Sequence, residues 1–256
     1  MTHSAIVRAS ATALLASSLG FVLTGCFGGA DAATSTPPAP TPIPTMAQPI
    51  PSGDGTLLIG LVVPLAGADA AVGAPSLAGA ELAARDIQQA GGVNGGPVHL
   101  VHADAGDASA PRAAESVTAL EARGVDAIVG PNAQGVLAAL ADAAETGGIA
   151  AVGATGEPVA IDETFAARLR SADPTLADTR YGAESYDAVV MIALAAALAG
   201  DDGRTSVQQF LPAVTSGAVT CATFGACLEV LTTRSDIRYT GVTGQVSTGV
   251  AQVTDR

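Results

Sequence analysis

From residue 57 onward, continuous apolar runs alternate with stretches of helical period. Leu57 to Val63, LLIGLVV, is an unbroken apolar run bounded by Gly and Pro, the pattern of a strand covered on both faces. Ser76 to Ala90, SLAGAELAARDIQQA, sets Leu77, Ala80, Ala84 and Ile87 on one stripe at helical spacing, and GGVNGG then stops it. The pattern goes on to predict a strand at Val98 to Ala103, a helix at Ala110 to Arg123 and a strand at Ala127 to Val129. A helix at Gly135 to Thr146 and a strand at Ala150 to Val152 follow. Strands and helices that alternate through short connections imply an α/β fold, a doubly wound parallel sheet with flanking helices. Ligands of such sheets sit at the carboxyl ends of the strands. After Asp162 the pattern turns helical, at Glu163 to Ala172, Ala183 to Ala199 and Val207 to Ala213, with one weak strand candidate at Val242 to Ser247. These helices are expected to pack on the first sheet. On YGAESYDAV, Tyr186 and Val190 are expected to pack while Glu184 and Asp187 face solvent.

The part before residue 57 has a different character. Met1 to Arg8 is short and carries one Arg, and Ala9 to Thr24 is apolar or small without a charge, as in the n-region and h-region of an export signal. A membrane-spanning helix needs about 20 apolar residues, more than this run supplies. Leu23-Thr24-Gly25-Cys26 resembles the lipobox of bacterial lipoproteins, which implies cleavage before Cys26 and lipid on its sulfur. An ordinary buried thiol is the alternative. Phe27 to Thr56 is rich in Pro, Ala, Thr, Ser and Gly, too poor in apolar surface to fold and held partly extended by its prolines. The expected organisation is a signal peptide at 1–25, a lipidated Cys and Pro/Ala/Thr-rich tether at 26–56, and a folded region at 57–256. At about 3 Å per residue, the tether reaches several nanometres from the outer face of the cytoplasmic membrane.

Charge narrows the partners. The formal net charge is −13, and all 11 basic residues are Arg, so no basic face is available to neutralise phosphates and no nucleic-acid partner is expected. With aromatic residues at 3%, the core must be built from Ala, Val, Leu and Ile, and few rings remain to stack on a ligand such as a sugar. If Cys26 carries lipid, Cys221 and Cys227 in CATFGAC are left as a pair that can close a small disulfide loop in an oxidising compartment. A metal site is the alternative, although no third Cys or His lies nearby to complete a tetrahedral set.

Other motifs point away from catalysis. His99 and His102 in HLVH lie three apart on a strand and so point to opposite faces. Asp104 and Asp107 in HADAGD read as a solvated loop at a strand end, with a cation site as the alternative. GGVNGG ends a helix and precedes a strand, the reverse of the order in a dinucleotide fingerprint. No G-x-S-x-G elbow occurs, and neither an enzyme nor a cofactor is expected.

The stretch IGLVVPLAGADAAVGAPSLAGAELAARDIQQAGGVNGGPVHLVHADAGD, from Ile59 to Asp107, resembles the opening of the substrate-binding proteins of branched-chain amino acid ABC importers. These have the type I periplasmic-binding-protein fold. The resemblance runs on through VDAIVGP and GATGEP, and through YGAESYDAVVMIALAAALAG and CATFGACLEVL. It implies a solute-binding lipoprotein, not an enzyme, that serves an ABC permease with an amino-acid ligand. Such receptors clamp the ligand between two lobes, the first made of an N-terminal segment and a segment that returns after the second lobe. Here 57–155 and 163–256 match those two segments, joined directly after GEPVAID, so that on the order of 100 residues, most of the second lobe, are missing. The expected structure is therefore a single Rossmann-like lobe.

In the family, the loops after the third and fourth strands hold the ligand's carboxylate and ammonium. They correspond to GPNAQGV and GATGEP, which makes Gln134, Gly135, Ala154 and Thr155 the implied ligand-binding residues. Ala154 and Thr155 match the family's Ala-Thr pair, whereas Gln134 and Gly135 stand where a Ser-rich stretch is usual. A face that has lost its partner lobe is also expected to favour self-association. The alternative function is a single-lobe remnant that acts as a surface interaction module without tight ligand binding.

Overall fold

The apolar runs after residue 57 become four adjacent parallel strands. The structure, a computed structural model, describes residues 50–133, 135–244 and 250–252. Cys26, the 1–25 signal, most of the 26–56 tether and Gln134 lie outside the described residues. The elements are β1 (Leu57–Val63), α1 (Ala70–Gln89), β2 (Val98–Asp104), α2 (Ala113–Ala122), β3 (Ala127–Gly130), α3 (Val136–Gly147) and β4 (Ala150–Ala154). Then come α4 (Glu163–Ala172), α5 (Gly182–Ala199), α6 (Arg204–Phe210), a 3-10 turn (Leu211–Thr215), β5 (Val219–Cys221), α7 (Phe224–Leu231), β6 (Ile237–Tyr239) and β7 (Val250–Gln252).

The main sheet has the order β2-β1-β3-β4-β7, with β7 antiparallel on the edge of β4. From β1 the chain steps outward to β2, then returns across β1 to β3 and β4. Right-handed crossovers in opposite directions put the connecting helices on opposite faces. Two apolar clusters record this. Leu57, Ile59, Leu61 and Val63 of β1 join Ala127, Val129, Ala150 and Val152 on the face covered by α1 and α5. Val62, Ile128 and Ala151 point the other way, under α2 and α3. The alternation is the period-2 pleat of a sheet buried on both sides.

Helix α5 fills the middle of the first face. Its 18 residues are long and apolar enough to cross a membrane, yet it is buried inside the fold. Small residues let α1 cross it closely: a Cβ on Gly79 would lie 1.9 Å from the Gly182 carbonyl oxygen. Tyr186 donates to Asp86 of α1 at 2.6 Å, and Arg168 of α4 pairs with the same carboxylate. The Arg168 guanidinium also stands over the Phe165 and Tyr186 rings, so α1, α4 and α5 meet at one polar and aromatic knot.

Tyr186 and Val190 pack as the helical pattern implies, but Glu184 and Asp187 do not face solvent; they are 1% and 0% exposed. A helix covered on every side has no wet face to give its carboxylates, so they take donors from the segments that cover it. Asp187 accepts from the Tyr239 hydroxyl at 2.7 Å and from the backbone N–H groups of Val242 and Thr243, each at 3.0 Å. Burial pushes its carboxyl pKa up, and those three donors oppose the shift by favouring the ionised form. Gly241, with φ of +66°, passes so close that a Cβ there would lie 2.3 Å from both Asp187 oxygens. The turn between β6 and β7 is thus wrapped around one carboxylate.

The region after α6 departs further from expectation. Instead of helices with one strand at Val242 to Ser247, it contains a parallel two-stranded sheet, β5-β6, bridged by α7. Val242 and Thr243 lie in a turn, 245–247 fall outside the described residues, and the strand added to the main sheet is β7. Three-residue strands are too short to show a period. Cys221 at the end of β5 and Cys227 in α7 form a disulfide, with Cα atoms 5.2 Å apart. Helix α1 begins at Ala70, before Ser76, with Pro75 inside it.

Asp187→Ala leaves three donors facing an apolar gap, so it should lower the unfolding free energy by about 3 kcal/mol or more. Asp187→Asn keeps one acceptor oxygen and should lose roughly half as much. Denaturant titration near neutral pH compares the two directly.

Candidate site at the carboxyl ends of β3 and β4

Strands β3 and β4 run in parallel register, Gly130 opposite Gly153, so their following loops leave the same end of the sheet side by side. Gly130 has no room for a side chain, since a Cβ there would lie 2.4 Å from Val136 Cγ1. The chain then turns through Gly135, in the left-handed region at φ +76°, directly into α3. No side chain caps this helix start among the described residues, and the first-turn N–H groups of a helix lack intrahelical partners. Gly135 is exposed, Ala154 is buried as the last residue of β4, and Thr155 is half-buried just beyond it. Gly135, Ala154 and Thr155 therefore share one edge.

Three side chains strap the β4 loop down. The Gly156 carbonyl oxygen accepts both from Asn132 Nδ2 in the β3 loop and from the Tyr181 hydroxyl, each at 3.0 Å. Val159 N–H donates to Glu184 Oε1 at 2.6 Å, and burial raises the pKa of that carboxyl. Asp162 ends the loop by accepting from Phe165 N–H at 2.7 Å, which caps α4. Tyr181 is half in the helix and half out, with φ of +62°, a conformation uncommon for an aromatic residue. Its buried ring and its hydroxyl bond hold it there. Sequence reading did not single out Asn132 or Tyr181, and it placed Glu184 in solvent. A positive φ on tyrosine has no composition cue, and an Asn in a loop is ordinary.

The β1 loop joins the same edge from the side. Asp104 accepts from Leu65 N–H at 3.0 Å and Gly106 N–H at 3.1 Å. Asp107 accepts from the Ser109 hydroxyl at 2.6 Å, from Ser109 and Ala110 N–H, and from Ala68 N–H at 3.3 Å. These bonds hold both carboxyls below their ordinary range, the Leu65 N–H foremost for Asp104 and the Ser109 hydroxyl foremost for Asp107. The two aspartates are backbone ties between loops rather than a merely solvated stretch. Beside them a groove of about 370 Å³ runs between Leu65, Leu77 and Ala172, with Glu81 and Asp173 on its rim.

His99 and His102 are exposed on the edge strand β2, and among the described residues no three His, Cys, Asp or Glu side chains converge as a metal set. The edge carries backbone groups, one hydroxyl and amides, a chemistry suited to hydrogen-bonding a small polar solute. Among the described residues only Ile50 and Leu65 are large, apolar and exposed. Ala, Gly and polar residues form this edge among the described residues.

Residues 56–164, from the start of β1 to the first turn of α4, match the family model for periplasmic binding proteins, a family of binding proteins rather than enzymes. No curated protein matches the chain. Among solved structures it is similar to one assigned to a branched-chain amino acid ABC transporter from Silicibacter pomeroyi, at 14% identity and TM-score 0.48, over 78% of this chain and 94% of that one. A fatty acid ABC transporter substrate-binding protein from Thermomonospora curvata is similar at 13% identity and TM-score 0.42, over 67% and 84% of the two chains. The branched-chain amino acid substrate-binding protein LivJ of Streptococcus pneumoniae, in complex with isoleucine, is similar at 14% identity and TM-score 0.41, over 72% and 94%.

Tyr181→Phe removes one of the two donors to the Gly156 carbonyl. It should cost about 1 kcal/mol of stability, with backbone amide shifts concentrated at Gly156, Glu157 and Asn132 in a two-dimensional NMR spectrum.

Proposed function

We propose that a chain whose residues 56–164 match the periplasmic-binding-protein family is the extracytoplasmic solute-binding component of an ABC importer. In this reading the protein is exported, lipidated on Cys26 and tethered through 26–56 to the outer face of the cytoplasmic membrane, where it serves a permease. Its ligand is an amino acid, branched-chain or related, held at Gln134, Gly135, Ala154 and Thr155. The observation that carries the reading is that the family match ends at residue 164, as α4 begins, with the β3 and β4 loops side by side at one open edge. A helix start can receive a carboxylate, and the Thr155 hydroxyl can accept from an ammonium.

The same architecture limits affinity. Among the described residues there is one doubly wound sheet and no facing lobe. A clamped amino acid bound at micromolar strength corresponds to about −8 kcal/mol shared between two lobes; half of that is about −4 kcal/mol, or millimolar. The absence of a second wall among the described residues also favours one alternative, a lobe that no longer clamps a solute and acts as a surface interaction module.

Titration of the purified chain with Leu, Ile and Val, followed by calorimetry and amide NMR, separates these readings. Millimolar binding with shifts at Gly135 and Thr155 supports the importer reading. Micromolar binding by a monomer overturns the one-lobe argument, and no shift at any of these residues at about 10 mM ligand, where even millimolar sites fill, favours the interaction module. Cys26→Ser should release the protein from membranes, as fractionation would show; an unacylated N-terminus in the wild type, by mass spectrometry, contradicts the anchor.

A further inference from the structure

The groove beside the β1 loop is built apart from the β3 and β4 loops, and none of Gly135, Ala154 and Thr155 lines it. Pro64 and Leu65 form one wall, Ala74, Leu77 and Ala78 of α1 the floor, and Ala172 at the end of α4 the other wall, around about 370 Å³. Small side chains on α1 make the hollow. Ala70, Ala74 and Ala78 lie four apart, so they share one stripe of the helix, and each leaves room that a longer side chain would fill. The loop sits directly on the helix there: a Cβ on Gly73 would lie 1.7 Å from the Pro64 carbonyl oxygen.

Both walls are held in place. Leu65 N–H donates to Asp104 at 3.0 Å and Ala68 N–H to Asp107 at 3.3 Å, so the loop is tied on either side of its turn. Leu65 is kept 42% exposed, one of two large apolar side chains so placed among the described residues. Opposite it, Asp173 Oδ1 accepts from the Thr175 N–H at 2.8 Å and the Thr175 hydroxyl at 2.6 Å, which hold that carboxyl below its ordinary range. Neither bond uses Oδ2. Glu81, exposed on the rim, has an uncommitted carboxylate: Arg85, one turn on, donates at 3.4 Å to the Glu81 backbone carbonyl instead. The ion pairs among the described residues all use other acids, and no basic side chain lines the groove.

An apolar hollow with two unpaired carboxylates on its rim selects by charge and by shape together. A metal ion needs a shell of oxygen ligands, and the floor presents alanine and leucine side chains. A quaternary ammonium is held by aromatic faces, and no ring lines this groove. A primary ammonium on a carbon chain matches both parts, because its N–H groups donate to carboxylates while its stem covers apolar surface as a lysine stem does. We propose that this groove binds a primary aliphatic amine, its carbon chain laid between Leu65, Leu77 and Ala172 and its ammonium group donating to Glu81 and Asp173. The site shares no residue with the solute site proposed above, so either can fail alone.

Amide NMR titration of the purified chain near neutral pH tests it, with n-butylammonium chloride, 1-butanol, sodium butyrate and NaCl of matched ionic strength as probes. Butylammonium should give saturable shifts concentrated at Leu65, Ala74, Leu77, Ala78 and Asp173, with a Kd on the order of 1 mM. 1-Butanol should bind about tenfold more weakly, for want of charge-assisted bonds, and butyrate and NaCl should leave these amides in place. Glu81→Gln should weaken butylammonium about tenfold and leave 1-butanol unchanged, while Asp142→Asn, an equal charge change on the exposed side of α3, should alter neither. Ala74→Leu, which fills the hollow, should abolish both. Equal shifts with butyrate or NaCl, an affinity retained in Glu81→Gln, shifts spread over the surface carboxylates, or no shift at about 10 mM butylammonium, where a millimolar site fills, would overturn the site.

Discussion

Helix α5 is buried on all sides, and its carboxylates must therefore find donors inside the fold. Much of the second half of the structure follows from that. Asp187 draws the turn after β6 onto itself through two backbone N–H groups and one tyrosine hydroxyl. Glu184, one turn earlier on the helix, draws in the β4 loop through Val159. One apolar helix thus helps to fix two irregular segments. Irregular backbone carries polar groups that must be paired wherever water is excluded, and here the pairing comes from acids at the centre of the core.

The two ends of the sheet are then held by different means. At the carboxyl end, loops are tied to one another by amide, hydroxyl and aspartate bonds to backbone, which leaves an ordered polar edge with few apolar side chains exposed. At the amino end, Asp201 and Asp202 grip the chain just before β1.

What the sequence makes legible follows from length and period. Strands β1, β3 and β4 are readable because each is a run of buried residues flanked by turn residues, and α4 because Asp162 marks its start and a helical stripe follows. The start of α1 is hidden by Pro75, which usually marks a first turn but here lies inside the helix. Strands β5 and β6 have three residues each and no measurable alternation. The misplacement of Glu184 and Asp187 has the same root as their importance: α5 is apolar nearly all round, so periodicity assigns it no wet face, and a default to solvent fails. Gly135 is readable as a glycine at a helix start, whereas Tyr181 and Asn132, which strap the β4 loop, depend on long-range bonds that leave no local trace.

The central claim is that the acids of α5 make the β4 loop and the C-terminal turn part of the cooperative core. Native-state hydrogen exchange of the Val159, Val242 and Thr243 amides, measured with increasing denaturant, tests it most directly. The account predicts that Val242 and Thr243 exchange through global unfolding, with the same free energy and denaturant dependence as the amides in the middle of α5, and that Val159 follows closely. Exchange of Val242 and Thr243 several kcal/mol more easily than α5, through local opening insensitive to denaturant, would contradict it and reduce the Asp187 bonds to a surface embellishment.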